Sequence, residues 1–564
     1  MVKEDKDFKR YLVTSALPYA NGPLHIGQIA GAYLTADIYT RYLRLKGKEV
    51  IFVCGSDEHG AAITLRAKKD KTTPREIVGT YHSIIEEAFK DFGIEFDIYH
   101  RTSSELHHKT ASEFFTVLHE SGKFEQKTVE QYYDEEHEQF LADRYITGTC
   151  PNCDHDAAYG DQCEECGSTL SPRELINPKS TLSGNVPILR ETTHWYLPMG
   201  DYEEWLKEWI LEGHKSDWKA NVYGQCRSWI EGGLKSRAMT RDLDWGVPVP
   251  LDEAKGKVLY VWLDAPIGYI SATKQWAIDN GKNWEDYWKD EDTKLVHFIG
   301  KDNIVFHAII FPILLHAHGE FILPDNVPAN EFLNIEGRKV STSRNWAVWL
   351  HEYLEDLPDK QDVLRYVLCS IAPETKDSEF TWKNFQARNN NELVAILGNF
   401  VNRTLVLTQK YYDGIVPEGD FSDWSNVTDR IQQIPDEIAA SVEQFRFREA
   451  LAKSMELARL GNQFLAETEP WKLQKSEPEK VKSIMLLALQ IAANISIAMR
   501  PFLPDTCRRL SKMLNIDIEN WDQAGHLDLV QPGHAIGEVA LLFEKLEDEV
   551  INQQIEKLKK AQTT

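Results

Sequence analysis

The sequence predicts a multidomain α/β protein in which a parallel β-sheet is split by a cysteine-rich insertion and followed by an all-α bundle. Three observations predict this fold class. Short apolar strands alternate with helical periods up to about residue 320, four cysteines cluster between two α/β stretches, and apolar residues recur at helical spacing beyond about residue 388. At 564 residues the chain is also too long for one hydrophobic core.

The first α/β stretch contains one strand–helix–strand unit. Residues 11–16 form an apolar strand, and the prolines and glycine of 18–23 exclude regular structure from the loop that follows. A helical period runs from Leu24 to Leu43, and residues 50–54 form the next strand. Two strands joined through a helix in so short a segment predict a parallel pair.

The second α/β stretch lies after the cysteine cluster. Residues 257–262 and 295–299 are predicted as strands, and the second of them leads into a helical pattern over 304–316. About 120 residues separate the two stretches. The simplest interpretation is a nucleotide-binding sheet into which a separate unit is inserted.

The C-terminal third is predicted to be helical. Apolar residues at helical spacing cover 391–412, 436–468 and 480–500, which is typical of a helical bundle. Residues 544–560 form a charged helix with few apolar positions, which indicates a peripheral helix.

Composition and charge restrict the class of protein. The hydrophobic fraction of 42% and the charged fraction of 27% are those of a globular protein. The charged N-terminus is not a secretory signal, and no apolar run approaches the roughly 20 residues that cross a bilayer. A cytoplasmic protein with no membrane partner is therefore predicted. The net charge of −25 argues against nucleic-acid binding, although a local basic groove is compatible with it.

The spacing of four cysteines predicts a metal site. Cys150 and Cys153, and Cys163 and Cys166, form two C-x₂-C pairs separated by nine residues. Each pair can present two thiolates to one tetrahedral zinc ion, and four thiolates leave no open position for catalysis. Two disulfides are the alternative, which a cytoplasmic compartment disfavours. We therefore expect one structural Zn²⁺.

The start of the first predicted helix is typical of a phosphate site. His25, Gly27 and Gln28 lie where a helix N-terminus offers free N–H groups and partial positive charge. His25 can donate a hydrogen bond to a phosphate oxygen in a transition state. The alternative is a histidine that only caps or packs the helix. No G-x-x-x-x-G-K-[S/T] sequence is present at this point, which excludes a P-loop enzyme.

Two distant motifs resemble those of class I aminoacyl-tRNA synthetases. Residues 18–28, Pro-Tyr-Ala-Asn-Gly-Pro-Leu-His-Ile-Gly-Gln, resemble the His-Ile-Gly-His element, and residues 337–344, Gly-Arg-Lys-Val-Ser-Thr-Ser-Arg, resemble the Lys-Met-Ser-Lys-Ser loop. The cysteine pairs occupy the insertion of the methionyl-tRNA synthetase family. Further segments similar to that family are 16–19, 54–60, 260–269 and 300–302 with His307. The resemblance covers residue 10 to about residue 545.

The chain departs from the family pattern at two positions. Gln28 replaces the second histidine of the first motif, and Thr342 replaces the second lysine of the loop. Lys339 and Arg344 are expected to supply the positive charge toward pyrophosphate instead. These departures leave open a catalytically inactive tRNA-binding or scaffolding homologue. The motifs are also compatible with a class I synthetase for leucine, valine or cysteine, although the insertion is short for an editing domain and four thiolates would close the zinc site that a cysteine enzyme needs open.

The resemblance implies an activity and a domain order. The activity is ATP-dependent conversion of L-methionine to methionyl-adenylate, with Mg²⁺ accompanying ATP, and transfer to the 3′ end of tRNA(Met), initiator tRNA included, in protein biosynthesis. The implied domains are a Rossmann-like catalytic domain in two halves (1–120 and 241–330), a connective insertion with the zinc knuckle (121–240), a stem-contact region with the Lys-Val-Ser-Thr-Ser loop (331–388), an α-helical anticodon-binding domain (389–545) and a C-terminal tail helix (546–564).

The resemblance also implies the roles of individual residues. The catalytic residues are His25, Lys301 and Lys339, and the ATP-binding residues are His25, Gly27, Gln28, Asp302, Lys339, Thr342 and Arg344. Asp57 would hold the methionine ammonium and Arg241 would lie near its carboxylate. The walls of the side-chain pocket would be Leu17, Tyr19, Trp262, Ala265, Pro266, Tyr269 and His307. Asn399, Arg403 and Trp471 would contact the anticodon; the alternative for Trp471 is an indole that closes the core of the bundle.

Overall fold

A five-stranded parallel sheet forms the centre of the N-terminal half. The computed structural model describes residues 7–141, 143–160, 162–163, 165–166, 168, 170–342, 344–517 and 520–561. The strands lie in the order Ala329–Asn330, Thr293–Gly300, Arg10–Ser15, Glu49–Ser56 and Ile98–Arg101. Every neighbouring pair is parallel, with Leu12 opposite Leu295 on one side and Ile51 on the other. The predicted parallel sheet is confirmed.

Helices cover both faces of this sheet, which is why its strands are apolar runs instead of alternating patterns. The first helix is continuous from Ile26 to Leu45, with one π-helical turn at Ile29–Tyr33. Residue 261 begins another long helix, Val261–Asn280. The remaining α and π segments on this half are Ala61–Lys69, Pro74–Phe92, Glu105–Glu120, Glu285–Trp288, Phe306–Ile310 and Phe311–His318.

The predicted insertion is a separate antiparallel unit. Its strand Glu125–Asp134 pairs along its length with Ile188–Leu197, and Gln139–Phe140 and Arg237–Ala238 extend the sheet at its two edges. A small three-stranded sheet is nested between the long strands and carries the cysteines; it consists of Ala158–Tyr159, Ile146–Thr149 and Ile176–Ser180. Helical segments Glu203–Leu206, Lys207–Glu212 and Ala220–Glu231 follow.

The strand predicted over 257–262 is wrong beyond its first residues. Only Val258–Leu259 is a strand, paired with Thr240–Arg241. The Tyr260 carbonyl accepts the N–H groups of Leu263 and Asp264 at 2.8 and 3.0 Å, so the chain turns into a helix at that point. A short apolar run fits a buried strand and the first turn of a buried helix equally well, and the pattern alone did not distinguish them.

The region between the two halves of the chain is small and mixed. Its strand Leu333–Ile335 runs parallel to Ser378–Phe380. Helices Leu350–Asp356 and Gln361–Ser370 lie between them in the sequence.

The C-terminal part is the predicted helical bundle, with boundaries that differ in two places. The first helix begins earlier, at Trp382, and runs through the π-helical segment Asn389–Gly398 to Tyr412. The helix predicted over 436–468 is two helices, because Phe445 takes a left-handed φ of 57° between them. The remaining helices are Ser425–Glu443, Phe447–Thr468, Pro470–Leu473, Pro478–Ala498, Pro504–Leu514 and Asp548–Ala561.

One helix of the bundle contradicts the expectation that no apolar run approaches membrane-spanning length. Among the described residues, Pro478–Ala498 alone is long and apolar enough to cross a bilayer by length and composition, with a mean hydropathy of 1.7. In the structure 89% of its most apolar window is buried, and it packs against Asn399–Tyr412 and Phe447–Thr468. Other helices therefore cover its apolar surface, as they do for the core helix of a bundle.

A buried ion pair joins the sheet, the middle region and the bundle. Arg365 Nη2 lies 2.6 Å from Asp37 Oδ2, and both side chains are fully buried. The same guanidinium donates to the carbonyls of Gly93, Pro501 and Phe502. One side chain of the middle region thus satisfies acceptors in the sheet domain and in the bundle.

Replacing Arg365 by methionine is expected to lower the free energy of unfolding by about 3–5 kcal/mol, because it removes the donor to the buried carbonyls of Pro501 and Phe502 and leaves Arg41 as the one remaining cation described beside Asp37. The shift of the urea unfolding midpoint measures it. Arg227→Met is the matched control, since Arg227 pairs with Glu231 on the surface with both side chains more than half exposed; its effect should stay below about 1 kcal/mol. Equal effects of the two substitutions would refute the role of the buried pair.

Candidate active site

His25 caps the first helix of the sheet domain. Its Nδ1 accepts the N–H of Gln28 at 3.3 Å, and the Gln28 side chain accepts the N–H of His25 at 3.0 Å. Burial lowers the pKa of His25 to about 4, so the ring is neutral near pH 7. Since Nδ1 is an acceptor, Nε2 carries the proton. His25 is therefore both the cap of this helix and a hydrogen-bond donor at its N-terminus.

The two distant motifs are adjacent in the structure. Ile26 N donates to Val348 O at 3.0 Å, Leu350 N donates to Leu24 O at 2.8 Å, and the Trp349 ring lies 6.2 Å from that of His25. These residues directly follow the Lys-Val-Ser-Thr-Ser loop in the sequence. The chain segment before the loop is also close, because a Cβ on Gly27 would lie 3.7 Å from the carbonyl oxygen of Leu333.

The loop itself is a hairpin. Glu336 and Gly337 turn the chain with φ of 47° and 77°, and Ser341 and Trp346 exchange backbone hydrogen bonds of 2.8 and 3.0 Å. Lys339, Thr342 and Arg344 are exposed on it, whereas Ser343 lies outside the described residues. Arg344 Nη2 is 3.8 Å from Glu165 Oε2 in the cysteine-rich unit. In this conformation Arg344 is directed toward the insertion, so its predicted role with pyrophosphate stays a prediction.

Lys301 and Asp302 follow the strand Thr293–Gly300 at its carboxyl end. Lys301 Nζ lies 2.7 Å from Glu331 Oε2 and 2.8 Å from Asp377 Oδ1. These two ion pairs hold the ammonium at the edge of the sheet where the first helix begins. Asp302 is exposed, and its carboxylate folds back over Gly300, where a Cβ would lie 2.7 Å from Oδ1.

Asp57 lies at the carboxyl end of the strand Glu49–Ser56, next to the loop that precedes His25. Its N–H donates to Pro18 O, and its carbonyl accepts the N–H of Ala20, both at 2.9 Å. The side chain is 6% exposed. Burial, with the nearby carboxylate of Asp264, raises the pKa of Asp57 to about 8. A buried carboxyl group of this kind is a binding group for a cation.

A cavity of about 320 Å³ is lined by His59 and Gly60, which follow Asp57 closely in the sequence. Of the residues predicted to bind methionine, Tyr19, Arg241 and Trp262 line it. The Arg241 guanidinium lies 3.6 Å above the Tyr260 ring, and Arg237 lies 3.5 Å above that of Trp262. The cavity therefore combines aromatic walls with positive charge.

The other predicted pocket residues are not among those that line this cavity: Leu17, Ala265, Pro266, Tyr269 and His307. Ala265, Pro266 and Tyr269 are buried on the helix Val261–Asn280. The Tyr269 hydroxyl donates to Nε2 of His307 at 2.8 Å, because His307 Nδ1 donates to the Asn303 carbonyl at 3.1 Å. Burial lowers the pKa of His307 to about 4, which keeps the ring neutral.

Close packing at two glycines fixes this arrangement. A Cβ on Gly268 would lie 2.9 Å from Leu17 Cδ1, so the long helix approaches the loop after the first strand. Gly60, at φ 105°, leaves room for the Tyr19 hydroxyl, which donates to His59 O at 2.5 Å. Any side chain at position 60 would collide with that hydroxyl.

The sequence reasoning missed several residues of the site. His59 and Trp245 line the cavity, as do Asn21 and Arg144. His59 Nδ1 is also 2.6 Å from Asp264 Oδ2, and His107 Nε2 contacts Asp264 Oδ1. Both His59 and Asp264 stand in segments that resemble the family, so a polar side chain inside an apolar motif was the available signal.

The four clustered cysteines converge. Their sulfur atoms all lie within 4.8 Å of one another, with 3.9 Å between Cys150 and Cys166 and 3.7 Å between Cys153 and Cys163. Four thiolates at about 2.3 Å from a tetrahedral zinc ion are about 3.8 Å apart, whereas a disulfide needs about 2.0 Å. The cluster fits a zinc site and does not fit two disulfides.

We expect one zinc ion per chain, and Cys153→Ser is expected to lose most of it because three thiolates hold the metal less tightly. Metal analysis of the purified protein measures this. Cys226→Ala is the control, since Cys226 is a buried cysteine outside the cluster. Retention of a full equivalent of zinc by Cys153→Ser would contradict the assignment.

The three residues predicted to contact the anticodon lie on one surface of the bundle. Asn399 and Arg403 are one turn apart on the helix Asn399–Tyr412. The Arg403 guanidinium lies 4.8 Å from the centre of the Trp471 ring. Trp471 is 37% exposed, which argues against an indole that closes the core.

Two family models match the chain. Residues 11–405 match the model described as class I tRNA synthetases (M), and residues 416–563 match the anticodon-binding domain of methionyl-tRNA ligase. The chain belongs to the methionyl-tRNA synthetase family. The resemblance inferred from the motifs is confirmed.

Relatives of this family are similar over almost the whole chain. The methionine–tRNA ligase of Christiangramia forsetii is 61% identical over an alignment of 568 positions that covers 99% of this chain and 82% of that protein. The methionine–tRNA ligase of Cytophaga hutchinsonii is 62% identical over 559 residues, or 97% of this chain and 81% of that protein.

A solved structure confirms the fold. The Mycobacterium tuberculosis methionyl-tRNA synthetase in complex with methionyl-adenylate superposes with a TM-score of 0.78 at 23% identity, covering 95% of this chain and 99% of the other. At that identity the likeness shows the fold alone.

Proposed function

We propose that this protein is a methionine–tRNA ligase that activates L-methionine with ATP and transfers it to the 3′ end of tRNA(Met) in protein synthesis. The observation that carries the proposal is the backbone pairing of Leu24 and Ile26 with Val348 and Leu350, which joins the His25 helix to the end of the Lys339 loop. Membership of the family over almost the whole chain supports it.

In the first step the methionine carboxylate attacks the α-phosphate of ATP in line, and pyrophosphate leaves. No protein nucleophile is needed, so positioning and stabilisation of negative charge carry the acceleration. His25 donates from Nε2 at the helix N-terminus, while Lys339 and Lys301 supply positive charge from opposite sides. Mg²⁺ bound to the phosphates of ATP would neutralise part of their charge. Gly27, Gln28, Asp302 and Thr342 are the remaining groups proposed around the nucleotide.

Methionine is placed by charge at one end and by shape at the other. Its ammonium converts Asp57 to the carboxylate, which a buried cation needs as partner. Arg241 lies on the side of the cavity proposed for the carboxylate end. The thioether side chain is proposed to lie between Tyr19 and Trp262 and toward the wall formed by Leu17, Ala265, Pro266, Tyr269 and His307. Rejection of amino acids that differ by one methylene is worth about 1–3 kcal/mol in such a pocket.

The cysteine cluster is proposed to hold a structural zinc ion. Cys150, Cys153, Cys163 and Cys166 would fill all four positions, which leaves none for water or substrate. The metal would hold the three strands of the nested sheet together beside a small hydrophobic cluster that includes Ile146, Ala158 and Leu175. Four reduced thiols at this spacing also support a cytoplasmic location.

The domain boundaries predicted from the sequence stand as proposals. The segments 1–120 and 241–330 would form the catalytic domain, 121–240 the insertion and 331–388 the stem-contact region. The segment 389–545 would bind the anticodon and 546–564 would be a tail helix. Initiator tRNA is included among the proposed substrates.

We expect Trp471→Ala to lower kcat/KM for tRNA about 10- to 100-fold, because loss of one stacked base costs about 1–3 kcal/mol. Methionine-dependent pyrophosphate exchange should not change, since it needs no tRNA. Trp229→Ala is the control, as Trp229 is also 37% exposed but lies in the insertion. A fall in exchange equal to the fall in aminoacylation would contradict an anticodon role.

Pyrophosphate exchange with each of the twenty amino acids tests the proposed function. We expect exchange with methionine at least 100-fold faster than with leucine, valine or cysteine. Faster exchange with one of these three would identify a different class I synthetase. Absence of exchange with every amino acid, in a sample that still binds tRNA, would identify an inactive tRNA-binding homologue.

A further inference from the structure

Three buried polar side chains meet between the sheet and two of its helices. His59 Nδ1 is 2.6 Å from Asp264 Oδ2, and His107 Nε2 is 2.5 Å from Asp264 Oδ1. The three side chains are at most 3% exposed. We call them the His–Asp–His cluster. They come from the loop after Glu49–Ser56, from the helix Glu105–Glu120 and from the helix Val261–Asn280.

Hydrogen bonding fixes the protons of this cluster. The Ser271 hydroxyl donates its single proton to Gly268 O at 3.1 Å, so it must accept from His107 Nδ1, which is 2.9 Å away. One proton of the pair is therefore on His107 Nδ1, and the short contact between His107 Nε2 and Asp264 Oδ1 needs another proton between its two atoms. Burial alone would raise the pKa of Asp264, but the two histidines hold it below its ordinary value. The carboxylate is thus held from both sides.

The cluster also contacts two of the proposed methionine-binding residues, Asp57 and Tyr19. The backbone N–H of His59 donates to Asp57 Oδ1 at 3.4 Å, and the backbone carbonyl of His59 accepts a hydrogen bond from the Tyr19 hydroxyl at 2.5 Å. Asp264 lies in the first turn of the helix that carries Trp262. The position of His59 thus determines how far Asp57 and Tyr19 lie from each other and from Trp262 on the helix.

We propose that the His–Asp–His cluster positions the methionine pocket. Asp264 is hydrogen-bonded to His107 and fixes the orientation of the His59 ring. The backbone of His59 in turn holds Asp57 and Tyr19 close to the helix that carries Trp262. The inference rests on the proposed function. His59, Asp264 and His107 are positioning residues, since they act on methionine through Asp57, Tyr19 and the helix.

A bound metal is the competing explanation for two histidines and an aspartate. Ligand atoms at about 2.0–2.1 Å from one ion are separated by about 3 Å or more. The 2.5 and 2.6 Å separations found here are those of charge-assisted hydrogen bonds. The cluster is therefore complete without an ion.

Two pairs of variants test the positioning role. His59→Leu removes the Nδ1 donor, and His59→Asn keeps an amide donor at the same position. His107→Leu removes the Nε2 donor, and His107→Gln keeps it. We expect each leucine variant to raise KM for methionine about tenfold or more, with KM for ATP within about twofold of wild type. The asparagine and glutamine variants should recover most of the affinity.

His214→Asn provides the matched control. His214 is also buried and pairs through Nδ1 with Asp217 at 2.9 Å, away from the cavity. The His214→Asn variant should leave KM for methionine and KM for ATP unchanged even if its melting temperature is lower. If His59→Leu does not fold, His107→Leu still tests the proposal. The ring of His107 is hydrogen-bonded to Asp264 and Ser271, so it acts on Asp57 and Tyr19 through Asp264 and His59.

The outcomes separate the two proposals. Wild-type enzyme without methionine-dependent exchange would reject the proposed function. An active wild type whose leucine variants keep KM for methionine, or lose affinity for methionine and ATP in parallel, would overturn the positioning role. A second equivalent of zinc that disappears in Asp264→Asn would replace the hydrogen-bonded cluster by a metal site.

Discussion

Replacing His25 by asparagine is expected to lower methionine-dependent pyrophosphate exchange by about 100-fold, with KM for ATP and methionine changed far less. Removal of one preorganised donor to a developing negative charge typically costs about 10²–10³ in kcat. Asparagine is among the preferred N-cap residues, so the helix beginning at Ile26 keeps its cap. The substitution removes Nε2–H from the site without removing the start of the helix. Steady-state exchange kinetics measure the effect.

The thermal stability of His25→Asn is the first control. Its melting temperature should stay close to that of wild type, whereas His25→Ala should lose both the cap and the donor. The alternative that His25 only caps the helix predicts the opposite result. On that account His25→Asn would retain wild-type exchange, and His25→Ala would be destabilised.

Replacing Asp57 by asparagine is expected to raise KM for methionine about 100-fold or more. Removing one partner of a buried charge pair costs about 2–5 kcal/mol, and the substrate ammonium would remain without a counter-charge. Because the amide keeps the shape of the carboxyl group, the loop around Pro18 and Ala20 keeps its backbone bonds. Exchange kinetics at varied methionine give the value. A KM within about threefold of wild type would show that the ammonium binds elsewhere.

The same carboxyl group predicts a pH dependence. Its pKa is raised to about 8 in the folded protein, and an ammonium binds only the ionised form. kcat/KM for methionine should therefore rise with pH up to about 8, and the rise should be absent in Asp57→Asn. The folded state holds a proton that the unfolded state releases at its ordinary pKa of 3.8, so this group lowers stability as pH rises from about 4 to 8.

Local patterns predicted the sheet and the bundle because each depends on a repeat in the sequence. The strands over 10–15, 49–56 and 293–300 are apolar runs, and the core helix Pro478–Ala498 is apolar and buried over most of its length after a charged first turn. The breaks were missed. Phe445 takes a left-handed conformation that no helical period reveals. Asp264, in the first turn of the helix that follows Tyr260, is fully buried, and its partners His59 and His107 lie far away in the sequence.

The residues of the site also divide into those that a local sequence pattern reveals and those that only the tertiary structure brings together. The four cysteines lie within 17 residues, so their spacing was enough to predict that the four sulfur atoms converge, without information on the tertiary structure. His59 and His107 lie 205 and 157 residues before Asp264 in the chain, and no spacing rule joins them. The ion pairs of Lys301 with Glu331 and Asp377 were missed for the same reason.

A crystal structure with a non-hydrolysable ATP analogue and methionine tests the central claim most directly. We predict that His25 Nε2 and Lys339 Nζ lie within hydrogen-bond distance of the triphosphate oxygens, on opposite sides of the nucleotide. If the nucleotide binds elsewhere, or both side chains are directed away from it, the proposed catalytic arrangement is wrong.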